Sequence, residues 1–131
     1  MRYLLDTHIL LWALKNSPKL SKSVKLIVSD YRNELWFSPA SIWEVGIKLS
    51  NEKVQDDDLV EPFLLYQTLL QEDFKELKIN SRHAIAVRNM QKIHKDPFDR
   101  ILIAQAKTEN LVLITVDDKI KQYDGVPILM A

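Results

Sequence analysis

Two kinds of hydrophobic pattern alternate along the chain. Short, nearly continuous apolar runs are typical of buried strands, whereas longer stretches with an apolar residue every three or four positions predict helices. We expect strands over residues 2–6, 35–37, 74–79, 111–116 and 126–130. We expect helices over residues 9–14, 21–29, 41–49, 59–70, 81–93 and 97–109. This alternation predicts an α/β fold with three layers, in which helices flank a mainly parallel central sheet.

Residues that favour helix ends support these boundaries. Ser21 and Ser81 are candidate N-caps, because a serine hydroxyl accepts hydrogen bonds from the N–H groups of a first turn. Asp96 followed by Pro97 has the order of an N-cap and a first helical residue. Asn110 suits a C-terminal stop.

Several apolar side chains are candidates for the core. Residues 42, 45 and 49 have the spacing of one buried helix face. Residues 59–70 are apolar on much of their circumference, so this helix is expected to be buried or covered by a partner. Tryptophan can stack on a nucleobase, but apolar neighbours favour core packing for all three tryptophans, Trp12, Trp36 and Trp43.

Four acidic residues are expected to meet at one edge of the sheet. Asp6 and Asp117 directly follow predicted strands, and the ligand crevice of a parallel sheet lies outside the carboxyl ends of its strands. Glu44 and Asp99 fall in the predicted first turns of helices, where backbone N–H groups favour negative charge. At an effective dielectric near 20, two unit charges 4 Å apart repel by about 4 kcal/mol. Such a cluster must hold protons or bind cations.

Oxygen ligands are those that Mg²⁺ and Mn²⁺ prefer, and these ions assist phosphoryl transfer. The sequence offers no cysteine nucleophile and no evident serine triad. The acids therefore suggest metal-assisted hydrolysis of a phosphodiester, with one or two Mg²⁺ or Mn²⁺ ions as cofactor.

Each acid also has a purely structural interpretation. Asp6 is a possible N-cap for the following helix, and Glu44 has the spacing of an ion pair with Lys48. Asp96 is better explained as the cap before Pro97 than as a ligand. Asp117 resembles an ordinary turn residue. The run at residues 56–58 lacks a hydrophobic context and is expected to be a solvated loop or a helix start rather than a metal site.

Four segments, in order along nearly the whole chain, resemble the motifs of PIN-domain nucleases. The first is Tyr3-Leu4-Leu5-Asp6-Thr7-His8, and the second is Ser38-Pro39-Ala40-Ser41-Ile42-Trp43-Glu44-Val45-Gly46-Ile47-Lys48. The third is His94-Lys95-Asp96-Pro97-Phe98-Asp99-Arg100-Ile101-Leu102-Ile103-Ala104-Gln105-Ala106. The fourth is Leu113-Ile114-Thr115-Val116-Asp117. Each motif alone is weak, but the ordered set is specific.

The resemblance implies a PIN fold and metal-dependent ribonuclease activity, in particular that of VapC-like toxins of toxin–antitoxin pairs. By position, Asp6, Glu44 and Asp99 correspond to the central metal-binding acids, and Asp117 to a fourth, more variable acid. The implied substrate is RNA, and the implied partner is a small antitoxin near the metal site. A homodimer is expected by family analogy.

Some neighbours of the acids have open roles. Asp96, Lys48 and Thr115 are candidates for supporting the acids; Thr115 would orient Asp117 or a water, or be an ordinary strand threonine. Arg100 is expected either to hold a phosphate or to lie at a solvated surface. Imidazole titrates near neutrality, so proton transfer and a structural role both stay open for His8 and His94.

Composition narrows the setting. The 131 residues predict one domain over residues 1–131. The chain has no cysteine, its first acid comes too early for a signal peptide, and no apolar run is long enough for a membrane helix; we therefore expect a cytoplasmic protein without membrane contact. Eighteen basic residues balance 18 acidic ones, so any affinity for nucleic acid must be local.

Two other functions remain open. One is a receiver-like domain that accepts a phosphoryl group, although such a domain would normally carry paired acids after its first strand, where this chain has Asp6-Thr7-His8. The other is a PIN-like binding module without catalysis, which the complete set of acids disfavours.

Overall fold

The computed structural model describes residues 1–131 and contains five strands and six helices. The strands are β1 (Arg2–Leu5), β2 (Glu34–Phe37), β3 (Lys75–Glu76), β4 (Val112–Thr115) and β5 (Ile128–Met130). The helices are α1 (Thr7–Lys15), α2 (Lys22–Ser29), α3 (Pro39–Leu49), α4 (Pro62–Gln71), α5 (Ser81–Arg88) and α6 (Pro97–Glu109). A 3₁₀ turn, Ile120–Gln122, precedes β5.

The strands form one parallel sheet in the order β3-β2-β1-β4-β5. Strand β1 is central, with β2 on one side and β4 on the other. From β1 the chain adds β2 and β3 on one side of the sheet, and it then returns to add β4 and β5 on the other side. A ligand crevice is therefore expected between β1 and β4, outside their carboxyl ends. Receiver domains of the CheY type have the order 2-1-3-4-5, so the strand order does not fit the receiver-like alternative.

Helices cover both faces of the sheet, which confirms the predicted three layers. Successive side chains of β1 point to opposite faces, so Leu5 belongs to one apolar cluster and Leu4 to the other. The cluster around Leu5 includes buried side chains of α1, α3 and α4. The cluster around Leu4 includes buried side chains of α6. None of the helices combines the length and the apolar character needed to cross a membrane.

Two helices, α1 and α3, begin earlier than predicted because a residue before the first apolar position caps them. Asp6 caps α1, so this helix begins at residue 7 rather than 9. Ser38 caps α3 by accepting a hydrogen bond from Ala40 N, and Pro39 occupies the first turn. The prediction that Glu44 lies in a first helical turn is therefore wrong, because it lies in the second turn of α3. Asn80 rather than Ser81 caps α5.

Other elements are shorter than predicted. Helix α5 ends at Arg88 rather than residue 93, because the N–H groups of Asn89 and Met90 bond back to the carbonyls of Ala86 and Val87. Helix α4 begins at residue 62 rather than 59, and strands β3, β4 and β5 are each shorter than their predicted ranges. In contrast, α6 has the predicted bounds, with Asp96 as its N-cap and Asn110 in a left-handed C-terminal position at φ 56°.

Core packing was predicted wrongly for two residues of α3. Val45 is fully buried, but Leu49 is 39% exposed and Trp43 is 65% exposed. The buried face of α3 carries Ser41, Glu44 and Val45, and position 43 points to the opposite side of the helix. Trp43 instead packs edge-to-face against Phe98 of α6, with ring centroids 5.0 Å apart.

Candidate metal centre

A crevice of about 250 Å³ lies beyond the carboxyl ends of β1 and β4. The structure brings all four predicted acids to it, together with Lys48 and Asp96, two of the three predicted supporting residues. Its lining is strongly acidic, with five carboxylates and one lysine among its residues: Asp6, Thr7, His8, Glu44, Lys48, Asp96, Asp99, Val116 and Asp117.

Asp6 is held by donors from two elements. Its Oδ1 accepts a hydrogen bond from Ile9 N at 3.1 Å as the N-cap of α1, and its Oδ2 accepts one from the hydroxyl of Thr115 at the end of β4. The same Thr115 hydroxyl accepts a hydrogen bond from Asp117 N at 3.1 Å. A buried threonine thus fixes the two strand-end acids relative to each other.

Glu44 is held by a second set of donors. The hydroxyl of Thr7 donates to Glu44 Oε1 at 2.7 Å, and Lys48 Nζ approaches Oε2 at 2.9 Å. The Oγ atoms of Ser41 and Thr7 are 3.0 Å apart. The predicted helix pair with Lys48 therefore exists, and Glu44 faces the crevice at the same time.

Asp99 and Asp117 meet at one imidazole. His94 Nε2 lies 3.0 Å from Asp99 Oδ2 and 2.7 Å from Asp117 Oδ2. One side-chain atom from each of these three residues falls within 4.8 Å of the others, which is close enough for a shared metal ion. Asp6 and Glu44 line the same crevice but lie outside this tight group.

Burial and mutual repulsion disturb the titration of the acids. Burial raises the pKa of Asp6 to about 6, although the bond from Thr115 opposes the rise. Burial, followed by the charge of Asp96, raises the pKa of Asp99 to about 7. Burial alone would also raise the pKa of Asp117, but hydrogen bonds from His94 and from the backbone N–H of Lys119 hold it below its usual value.

The donor set fits a hard divalent cation. Five carboxylates and one lysine line the crevice, and the negative charges of Asp96, Glu44 and Asp6 add to burial in raising the pKa of Asp99. Carboxylate oxygens dominate the lining, and no cysteine is available to favour a softer metal. A hard divalent cation would supply the missing positive charge.

Two predicted neighbours have other roles. Arg100 does not line the crevice, because its guanidinium donates hydrogen bonds to the carbonyls of Val87, Gln91 and His94. These hydrogen bonds tie Arg100 to the loop after α5. Asp96 caps α6 by accepting hydrogen bonds from Phe98 N at 2.8 Å and Asp99 N at 3.3 Å, and it also lines the crevice.

The acidic run at residues 56–58 is a loop, as expected, but it is tied to α1. Asp56 Oδ2 lies 3.1 Å from His8 Nε2, and Asp58 accepts hydrogen bonds from Trp12 Nε1 and Lys19 Nζ. His8 thus lines the crevice while its ring is held by this loop.

The supporting hydroxyls of Thr7 and Ser41 were missed by the sequence analysis. Both side chains are buried polar groups next to Glu44. The position of Thr7 directly after Asp6 was the available signal, since the first residue of a helix that follows a strand-end acid faces the same edge of the sheet.

Comparisons with known proteins agree with this fold. A family model described as PIN domain matches residues 3–126. A comparison with curated proteins returns no significant match. Among solved structures, VapBC2 of Rickettsia felis bound to a promoter DNA fragment is 14% identical with a TM-score of 0.71, over 100% of this chain and 99% of that one.

Two further solved structures have the same fold. DNA-bound VapBC of Salmonella typhimurium is 16% identical with a TM-score of 0.69, over 99% of this chain and 98% of that one. The PIN domain endonuclease Utp24 is 18% identical with a TM-score of 0.57, over 99% and 84% of the two chains. At these identities the structural likeness establishes the fold.

Proposed function

Because the chain belongs to the PIN domain family, whose members are generally nucleases, we propose that it is a metal-dependent endoribonuclease. The observation that carries the proposal is the convergence of Asp6, Glu44, Asp99 and Asp117 on one crevice where the sheet order reverses. These four residues are the proposed ligands of one or two Mg²⁺ or Mn²⁺ ions. When bound, the metal supplies Lewis-acid chemistry that lowers the pKa of a coordinated water and stabilises charge on a phosphate.

The residues of the chain prepare the crevice for this chemistry. Thr115 fixes Asp6, while Thr7 and Lys48 fix Glu44, so both carboxylates are oriented before a substrate arrives. Lys48 is the one lysine that lines the crevice, and its ammonium group can contact a phosphate oxygen there. The net charge of the chain is zero, so we expect the crevice and its metal, rather than a broad basic surface, to hold the RNA.

We further propose that the nuclease is the toxin of a toxin–antitoxin pair and acts in the cytoplasm. The VapBC structures share its fold over nearly the whole chain, and the VapC-like order of motifs points the same way. A small antitoxin is the proposed partner, and a homodimer is the proposed assembly. Helix α4 offers an apolar surface for such a contact, since Phe63 is 70% exposed and Leu64 is 55% exposed.

Cleavage of a mixed pool of structured RNAs tests the nuclease proposal. The purified protein, D99N and D118N are each assayed in EDTA, Mg²⁺ and Mn²⁺. Asp118 is the matched control, because its side chain is 82% exposed and lies outside the crevice. We expect the wild type and D118N to cut only with metal, and D99N to lose at least 100-fold in rate, since removing key electrostatic groups commonly costs 10²–10³.

Full cutting by folded D99N, or equal cutting in EDTA, would overturn the proposed mechanism. Metal binding without cutting of any RNA would favour the non-catalytic binding module. A search of the adjacent reading frames for a small protein, followed by its co-expression with this chain, tests the partner. We expect a stable complex that does not cut RNA, and the absence of such a reading frame or a failure to associate would contradict the toxin–antitoxin assignment.

A further inference from the structure

His94 has a fixed proton position. Its Nδ1 lies 3.1 Å from the backbone N of Asp96, and that N–H group can only donate. Nδ1 must therefore be the acceptor, and the proton of a neutral imidazole resides on Nε2. The backbone around the ring is also held, because His94 N donates to the hydroxyl of Tyr123 at 2.7 Å and Arg100 donates to His94 O at 3.3 Å.

His94 Nε2 lies between two acids from different elements, and its hydrogen bond goes to Asp117. Asp99 belongs to the first turn of α6, and Asp117 follows β4, so no backbone contact holds their carboxylates together. His94 Nε2 reaches one oxygen of each, at 3.0 Å and 2.7 Å, and the imidazole is only 12% exposed. For Asp99, this is the one side-chain donor in contact with the carboxylate.

We propose that His94 is a positioning residue that brings Asp99 and Asp117 together for a divalent cation and is not itself a metal ligand. The inference rests on the proposed metal centre. Each carboxylate has one oxygen beside His94, the other oxygen of Asp117 accepts a hydrogen bond from Lys119 N at 2.9 Å, and both acids line the crevice. His94 thereby orients two carboxylates of the crevice, just as Thr115 orients Asp6 and Thr7 orients Glu44.

Distance alone would also allow His94 to bind the metal, since its ring lies in the tight group with Asp99 and Asp117. Ligation through Nε2 would move the proton to Nδ1. That proton would then face the N–H group of Asp96 at 3.1 Å, so two donors would oppose each other. Because a short backbone segment links His94 to Asp96, this conflict is not relieved by rotating the ring alone.

The tautomer can be measured directly on the wild-type protein. A long-range ¹H–¹⁵N spectrum of uniformly labelled protein at pH 8 is recorded without metal and with saturating Mg²⁺. We expect His94 to show a protonated Nε2 and an unprotonated Nδ1 in both samples. A proton on Nδ1 after Mg²⁺ addition, or a directly bound nitrogen in the electron spin-echo spectrum of the Mn²⁺ form, would overturn the proposal.

Mn²⁺ affinity tests the positioning role by calorimetry. Loss of a group that orients a metal ligand typically costs 10–100-fold in metal affinity. We expect H94A to bind Mn²⁺ 10–100-fold more weakly than the wild type, and H94Q, whose amide keeps an N–H donor at similar reach, to bind within about fivefold. K92A, at an exposed position of the same loop, is the control for the loop itself.

Wild-type affinity in H94A, or equal losses in H94A and H94Q, would contradict the positioning role. Should H94A fail to fold, the nitrogen spectrum of the wild type still decides between donor and ligand. A wild type that binds Mn²⁺ but cuts no RNA would overturn the proposed function and leave the role of His94 intact. A wild type that binds no Mn²⁺ would overturn both.

Discussion

Three of the four proposed metal ligands, Asp6, Glu44 and Asp117, accept a hydrogen bond from a side chain elsewhere in the fold, and Asp99 lies within ion-pair distance of His94. Asp6 is both the N-cap of α1 and a side chain of the crevice, and Glu44 is both half of a helix ion pair and a side chain of the crevice. The structural and functional interpretations of these acids are therefore compatible. A cap or an ion pair fixes the direction of a carboxylate, which a metal site also requires.

At the residue scale, D99N is expected to stabilise the metal-free protein at pH 8. Folding raises the pKa of Asp99 from 3.8 to about 7, so ionised Asp99 destabilises the fold above that pH. Asparagine removes the charge, has nearly the same shape and keeps an oxygen that can lie beside His94. We expect a melting temperature roughly 5 °C higher than that of the wild type in EDTA at pH 8, and equal values near pH 4. A lower value for D99N at pH 8 would contradict this account.

Thr115→Val tests the hydroxyl between the strand-end acids. Valine has nearly the same shape, but it leaves the Oδ2 atom of buried Asp6 without a donor and the N–H group of Asp117 without an acceptor. We expect the free energy of unfolding in urea to fall by about 1–3 kcal/mol, with Thr115→Ser retaining most of the stability. Equal stability of the valine and serine variants would show that the hydroxyl is not important.

Not every residue of the site was equally predictable. The acids stood out because carboxylates that follow apolar strands are conspicuous. Buried hydroxyls such as those of Thr7 and Ser41 leave no such pattern, since threonine and serine are common in any helix N-terminus. The role of Arg100 was also hidden, because its carbonyl acceptors depend on how the loop after α5 folds.

At the element scale, helix ends position the site. Helix α6 begins at Asp96, which accepts hydrogen bonds from two N–H groups and places Asp99 at the crevice. The bounds of α6 were predicted correctly because Asp96-Pro97 and Asn110 are strong local signals. The end of α5 was predicted wrongly, because the apolar residues after Arg88 continue a helical pattern. The contacts of the loop with the rest of the fold override this pattern.

The cap of α6 can be tested by Asp96→Ala. We expect the free energy of unfolding at pH 5 to fall by about 1 kcal/mol, because the N–H groups of Phe98 and Asp99 lose their acceptor. At this pH Asp99 holds its proton, so relief of charge repulsion does not mask the loss. Asp96→Asn keeps an acceptor oxygen and should stay within a few tenths of a kcal/mol. A loss as large for asparagine as for alanine would contradict the capping role.

At the scale of the whole molecule, the sheet order creates the crevice. Strands β1 and β4 are neighbours, yet they come from opposite ends of the chain, so Asp6 and Asp117 meet only after the sheet has formed. The parallel fold and this meeting were predictable from strand–helix alternation. The exposure of Trp43 and Leu49 was not, since a single apolar pattern does not show which face of α3 packs inward.

The acidic crevice should make stability depend on pH and metal. Between about pH 4 and 7 the folded protein binds more protons than the unfolded chain, because the pKa values of Asp6 and Asp99 are raised, so stability in EDTA falls as the pH rises. The pKa values of Asp30, Asp58 and Asp117 are lowered by folding, so protonation of these residues affects the stability of the fold only below this pH range.

Thermal denaturation across this pH range is the measurement. At pH 8, Mn²⁺ at 100 times its dissociation constant should restore about 2.7 kcal/mol in the wild type and much less in D99N. A melting temperature that rises from pH 4.5 to 7 in EDTA would contradict the proposed charge balance.

The central claim is that the four acids form one metal centre, and anomalous diffraction from crystals soaked in Mn²⁺ tests it most directly. We predict one or two Mn²⁺ peaks in the crevice, with oxygen ligands from Asp6, Glu44, Asp99 and Asp117 at about 2.0–2.2 Å, as expected for a small hard divalent ion. Saturated crystals with no peak in the crevice, or with their Mn²⁺ at the loop of residues 56–58, would contradict the account.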